Sequence, residues 1–154
     1  MSLTLKTKIF YSVGHVYNDL CASVWFSYTL LYFKLHFNDT IAGILLLLGQ
    51  VADAIATPLI GYGSDQNYQI KLYSYGRRKI WHLLGTVCVA ISFPFIFNTC
   101  FVCNDNKFWI KFAYYGSMII LFQFGWAAVQ VSHVSLITDL TNVSSQRVGL
   151  NAYR

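Results

Sequence analysis

Charge is what this chain has least of. Only 11% of its 154 residues are charged, against roughly a quarter in a soluble domain. Glutamate is absent altogether, so the six acids are all aspartates. Also missing are a phosphate-binding glycine loop and a Ser-His-Asp set. His15, His82 and His133 lie on separate segments without metal-ligand spacing. These absences argue against an enzyme, and they leave no metal or cofactor to call for beyond a coupled proton. A cleaved signal peptide is disfavoured too. The first apolar block is too long, is polar in its middle, and is followed by no small-residue cleavage site.

What remains is oil-soluble: 56% of the residues are hydrophobic and 18% aromatic. They fall in four blocks, about 9–33, 41–62, 80–101 and 108–137. Each is long enough for a helix to cross a bilayer, which takes about 20 residues. Continuous runs such as "IAGILLLLG" favour helices over barrel strands, which alternate and are about half as long. The fold class expected is therefore an all-α polytopic membrane protein with four transmembrane helices, joined on one side by segments 63–79 and 138–154.

Lys6, Lys8, Lys71, Arg77, Arg78, Lys79, Arg147 and Arg154 would share one side of the membrane, and Lys34, Lys107 and Lys111 the other. That asymmetry puts both termini in the cytosol. The net charge of +5 then reflects basic loops facing anionic lipid, and no nucleic-acid partner is expected. Cys21 and Cys88 read as apolar filler inside spans. Cys100 and Cys103 form a lone CxxC at the outer end of the third span. With no second cluster a zinc site is disfavoured, which leaves an unremarkable pair of thiols, a disulfide or a redox-active thiol. The sequons at 38–40 and 142–144 are discounted, the first for closeness to the bilayer and the second for its cytosolic side.

Asp19 and Asp53 alone among the acids lie inside spans. An ionisable group there is costly and should face a bundle interior or an aqueous cavity. Each has polar company. Gln50, Asp53, Thr57 and Gly61 fall within about 80° on the second span, where Pro58 adds a kink. His15, Asn18, Asp19, Ala22 and Ser23 share one side of the first span, with His15 and Asp19 four residues apart and able to touch. On the fourth span Gln123, Trp126, Gln130 and His133 lie within about 80° of one another. Single amides and hydroxyls in such places usually join helices by hydrogen bonds. Two carboxylates on adjacent spans point instead to a solute or proton path, comprising Asp19, Asn18, Asp53, Gln50, Gln130 and His133. His82, beside Trp81, reads as an interfacial residue of the aromatic belt.

The loop "GYGSDQNYQIKLYSYGRRK" places Asp65 at the end of one span and Gly76, Arg77 and Arg78 before the next. Positive-inside anchoring covers the cations but not Asp65 or Gly76. This pattern resembles the cytosolic gating motif of the major facilitator superfamily, in which an Asp and Arg residues form a breakable latch. Here the motif residues are Gly61, Asp65, Gly76, Arg77 and Arg78, with a longer spacer than the compact motif has. The segments "ND" at 18 and 19, "DAIATPLIGY" at 53–62 and "QRVGLNAYR" at 146–154 resemble the glycoside-pentoside-hexuronide:cation symporter branch. The resemblance implies that Asp19 contacts solute and that Asp53 takes part in cation coupling. Sodium-coupled members carry a further acid four residues on. Thr57 stands there in this chain, which favours a proton-coupled or facilitated mode.

Nearly the whole chain resembles one member of that branch. The resemblance implies a secondary transporter of a small polar solute working by alternating access, either importing cysteine into the lysosome or melanosome or acting as a sugar:cation symporter. It also implies a fragment: the four spans would be the first part of an N-terminal six-helix bundle, inactive alone because solute sites in this superfamily lie between two halves. The partners would then be the lipid bilayer, a small-molecule solute, and the missing C-terminal helices or a full-length homologue. The alternative is a noncatalytic membrane subunit that binds and modulates a full-length transporter.

Overall fold

The computed structural model describes residues 4–65, 76–101, 103 and 108–153. Among them are five helices in chain order: α1 (Leu5–His36), α2 (Asp39–Asp65), α3 (Arg77–Ile96), α4 (Phe108–Leu140) and α5 (Ser144–Tyr153). The first four run alternately up and down. One end of the bundle gathers Tyr32, Phe37, Phe97 and Phe108, and the other gathers Asp65, Arg78 and Asp139.

Three helices are long and apolar enough to cross a membrane: α2, the Arg78–Ile96 stretch of α3, and α4. Four spans were expected. α1 has the length, at 32 residues, but its middle carries His15, Asn18, Asp19 and Ser23, which lower its mean hydropathy. The segment after residue 137, read from sequence as a connection, holds the last turn of α4 and the short helix α5.

Local chemistry sets the helix ends. Thr4 caps α1 by accepting from the Thr7 amide, and Asn38 caps α2 by accepting from the Ile41 amide at 3.0 Å. Gly76 precedes α3 with φ of 106°, a backbone conformation that side-chain-bearing residues avoid. At the end of α4 the hydroxyl oxygen of Thr141 accepts from the Val143 amide, while Arg147 Nε donates to the Thr141 carbonyl. These bonds turn the chain into α5, whose Leu150 is buried against Tyr11 and Ile137.

Helix association in lipid cannot rely on expelling water, so close packing of small residues must hold the helices together. α3 and α4 meet through two glycines. A Cβ built on Gly85 would lie 2.6 Å from the Gly125 carbonyl oxygen and 2.8 Å from the Ala128 Cβ. One built on Gly125 would lie 2.7 Å from the Cys88 Cβ and 2.9 Å from the Gly85 carbonyl oxygen. α2 approaches α4 in the same manner at Gly49, where a Cβ would meet Trp25, Ile119 and Gln123 at 3.0–3.1 Å. Around these contacts lies a core of Trp25, Phe33, Leu45, Val89, Ile96, Ile119 and Phe122. The outer surface is apolar as well, with Phe10 and Trp109 each 76% exposed. A surface of that kind belongs in hydrocarbon rather than water.

Gly125→Val should force α3 and α4 apart and cost about 1–3 kcal/mol of stability. Gly43→Ala, where a Cβ meets nothing within 4 Å, should be neutral or slightly stabilising. Thermal unfolding of the two variants in detergent checks the contrast, and equal behaviour would remove the glycine contact as the cause.

Candidate functional site: the polar face of the bundle

α1 buries a stripe of Tyr11, His15, Asn18, Cys21, Trp25, Thr29 and Phe33. The spacing of three and four residues keeps this stripe on one side of the helix. His15 and Asn18 therefore turn inward, whereas Asp19 and Ser23 stay exposed beside them. His15 Nε2 reaches Asp19 Oδ1 at 3.2 Å, so the expected one-turn contact is present, with Asp19 at its open end. Ser23 spends its hydroxyl on the Asp19 carbonyl, a local bond within the helix.

On α2, Gln50 and Thr57 are exposed and Asp53 is half-buried. The Thr57 hydroxyl donates to Asp53 Oδ1 at 3.3 Å. On α4, Gln123 and His133 are buried, and Gln130 and Trp126 half-buried. Asn18 and Gln123 are 2% and 0% exposed, yet among the described residues neither amide finds a hydrogen-bond partner. A buried, unsatisfied polar group costs about 1–3 kcal/mol, so two such amides, each with both polar atoms unpaired, call for an explanation.

His82 differs from its reading as an interfacial residue. The close crossing at Gly85 turns it toward α4, and its ring lies 5.6 Å from that of His133. Trp81 packs with Ala56, Ile60, Ala127 and Ala128 between α2 and α4. Helix-face arithmetic treats each helix alone and could not foresee either placement.

Arg78 organises the opposite side of the same end. Its Nη1 donates to the Ser135 carbonyl, to the Thr138 hydroxyl and, at 2.8 Å, to Asp139 Oδ1. Its Nη2 stands 3.9 Å from Asp65. One guanidinium thus joins the C-terminal ends of α2 and α4, where a cation also suits the helix dipoles. Of the motif residues, Asp65 and Arg78 are thus brought within 3.9 Å of each other. Asp139 was missed, although it is the one acid on α4 and stands at its end. The Arg77 side chain and residues 66–75 lie outside the described residues. Gly61 sits partly buried on α2 with open space at its Cβ position.

At the far end Cys100 and Cys103 are joined as a disulfide with Cα atoms 5.4 Å apart. They border a cavity of about 200 Å³ lined also by His36, Phe37, Thr99, Lys111 and Tyr115. Among the described residues no group of three or more His, Cys, Asp or Glu could hold a metal ion.

A family profile described as MFS/sugar transport protein matches residues 9–154. The chain is 50% identical over 157 residues to Major facilitator superfamily domain-containing protein 12 of Homo sapiens, covering 99% of this chain and 32% of that protein. Identity to the Mus musculus protein of the same name is 48%, with the same coverage. An uncharacterized symporter of Synechocystis is 27% identical over 99% of this chain and 28% of its own length. The chain thus spans about a third of the length of the curated relatives it matches. No solved structure matches it.

Arg78→Gln should remove the tie between α2 and α4 and cost about 1–3 kcal/mol, since three acceptors lose a charged donor together. Lys34→Gln breaks an exposed ion pair with Asp39 and should cost under about 1 kcal/mol. Unfolding temperatures of both variants check the ranking, and equal losses would deny Arg78 its tying role.

Proposed function

The chain belongs to the MFS/sugar transport protein family, and on that premise we propose that it supplies part of a secondary transporter for a small polar solute. In this reading α1 joins α2, α3 and α4 as a fourth span, and both termini lie in the cytosol. The polar residues that keep α1 from ranking as apolar are the ones it contributes to the path.

The observation that carries the reading is the pair of buried amides, Asn18 and Gln123, without hydrogen-bond partners among the described residues. A core built only for stability would replace such groups with apolar ones. A transport path needs them, because a polar solute or its water must find donors and acceptors when it leaves bulk solvent. Asp19 with Asn18 then holds a polar or cationic group of the solute. Asp53, half-buried with Thr57 bonded to it, exchanges a proton or helps close the path. Gln50, Gln130 and His133 line the route. Asp65, Arg78 and Asp139 close the cytosolic end and must part when it opens. The family resemblance nominates cysteine as the solute and the lysosome or melanosome as the destination.

The open polar face requires the rest of a full-length transporter to complete it, so these residues alone should not transport. A second reading makes the chain a noncatalytic membrane subunit that docks on a full-length transporter. An apolar groove of about 300 Å³ between α2 and α4, lined by Leu48, Val51, Ile55, Leu59, Ile120 and Phe124, favours it. Co-purification with a larger homologue tests that reading.

Vesicles holding the full-length protein should take up cysteine, and vesicles holding only these residues should not. Robust uptake by the short chain would overturn the requirement for the remaining helices. Asp53→Asn in the full-length protein should insert normally but lose the pH dependence of uptake. An unchanged pH profile would take Asp53 out of coupling.

A further inference from the structure

Three histidines that lie far apart in sequence meet at the Arg78 end of the bundle, and the path described above uses only one of them. His133 is the centre. His15 stacks on it with ring centroids 4.6 Å apart, and Tyr11 stacks on it at 4.0 Å. His82 approaches from α3 at 5.6 Å with its plane tilted by 41°. Tyr11 also donates its hydroxyl to the His133 carbonyl. At Gly14 a Cβ would lie 3.8 Å from His133 Cε1, an ordinary van der Waals contact, so α1 lies close against the central ring. His15 and His133 are buried, while His82 is half-buried.

The cluster meets a carboxylate on the open face. His15 Nε2 lies 3.2 Å from Asp19 Oδ1, and the Asp19 side chain is 51% exposed. Other charges stand near this end as well. On α3, Arg78 is held by Asp139 and Asp65. On α5, Arg147 donates to the Thr141 carbonyl and Asn142. On α2, Asp53 accepts from Thr57. Lys8 lies two turns before His15 on the same side of α1, half-buried. Asp19 is thus the carboxylate in direct contact with the imidazoles.

Imidazole is the side chain that changes charge between about pH 5 and 8. Rings packed this closely, two of them buried, cannot all be cationic, because each added charge meets the last across a poorly screened gap. The first proton is favoured by the Asp19 carboxylate, and the second is opposed by the first. Metal binding is not the explanation, since His15 stacks on His133 and no metal-holding group occurs among the described residues.

We propose that His15, His82 and His133 form one proton-binding site shared by α1, α3 and α4, taking up a single proton through Asp19. The site deepens the transport reading and rests on it for its purpose, giving the coupled proton a second station besides Asp53. A proton held there changes the charge between three helices at once. The arrangement therefore links proton uptake to how α1 packs on α3 and α4.

The test is nitrogen-15 NMR of histidine-labelled full-length protein in lipid nanodiscs, with imidazole signals followed across about pH 5 to 8. Each signal is assigned by its loss in a His→Gln variant. The three rings should share one transition, which His82→Gln alters at His133. Asp19→Asn, an exposed change that spares the packing, should displace the shared midpoint by roughly 1–3 pH units. His36→Gln, at the opposite end, should leave it unmoved. Three rings that titrate independently, or a midpoint indifferent to Asp19→Asn, would overturn the proposal. The readout needs no transport, so a shared transition in a protein that moves no solute would support the proton site while removing the transport reading.

Discussion

Everything at the Arg78 end of the bundle depends on how closely α3 can approach α4. Gly85 and Gly125 face each other so tightly that neither has space for a side chain, since a Cβ on either would collide with the other's carbonyl oxygen. In hydrocarbon this contact must come from packing, because apolar surface gains nothing by leaving lipid for another helix. The approach has two results along α3. One turn before Gly85, His82 is brought onto the ring of His133. Two turns before it, Arg78 comes within reach of the last carbonyls and the acid of α4.

Polarity in this fold is sorted by small rotations. On α1 the step from Asn18 to Asp19 separates a buried amide from a half-exposed carboxylate. The same step lets His15 look inward while keeping one nitrogen beside Asp19. On α2 the stripe that packs against α4 runs through Ala42, Leu45, Gly49, Ala56 and Ile60, and Asp53 sits at its margin. Both acids are thereby held at the edge of the packed region. That is where a carboxylate can exchange with solute or proton without bearing the full cost of burial.

The helical class was legible in uninterrupted apolar runs and in the rarity of charge. The contact of His15 with Asp19 was legible too, because it spans one turn of one helix. The span count was less so: α1 has polar residues in its middle, and a criterion of length and hydropathy passes α2, α3 and α4 but not α1. His82 was read as interfacial because Trp81 stands next to it and because nothing in the chain near it announces His133, 51 positions later. α5 escaped notice because its fastening is tertiary: Leu150 packs on Tyr11 near the other end of the chain.

The sequence by itself determined that the long apolar blocks are helical, that their surface suits lipid, and that a few ionisable groups sit among them at one-turn spacing. Those properties follow from composition and from a helical period of 3.6 residues, both of them local. Which polar groups share a site was decided only by tertiary structure. The histidine cluster, the four-way contacts of Arg78 and the burial of Asn18 and Gln123 all require helices to meet at particular rotations. Those rotations are set by where backbones can touch, as at Gly85 and Gly125.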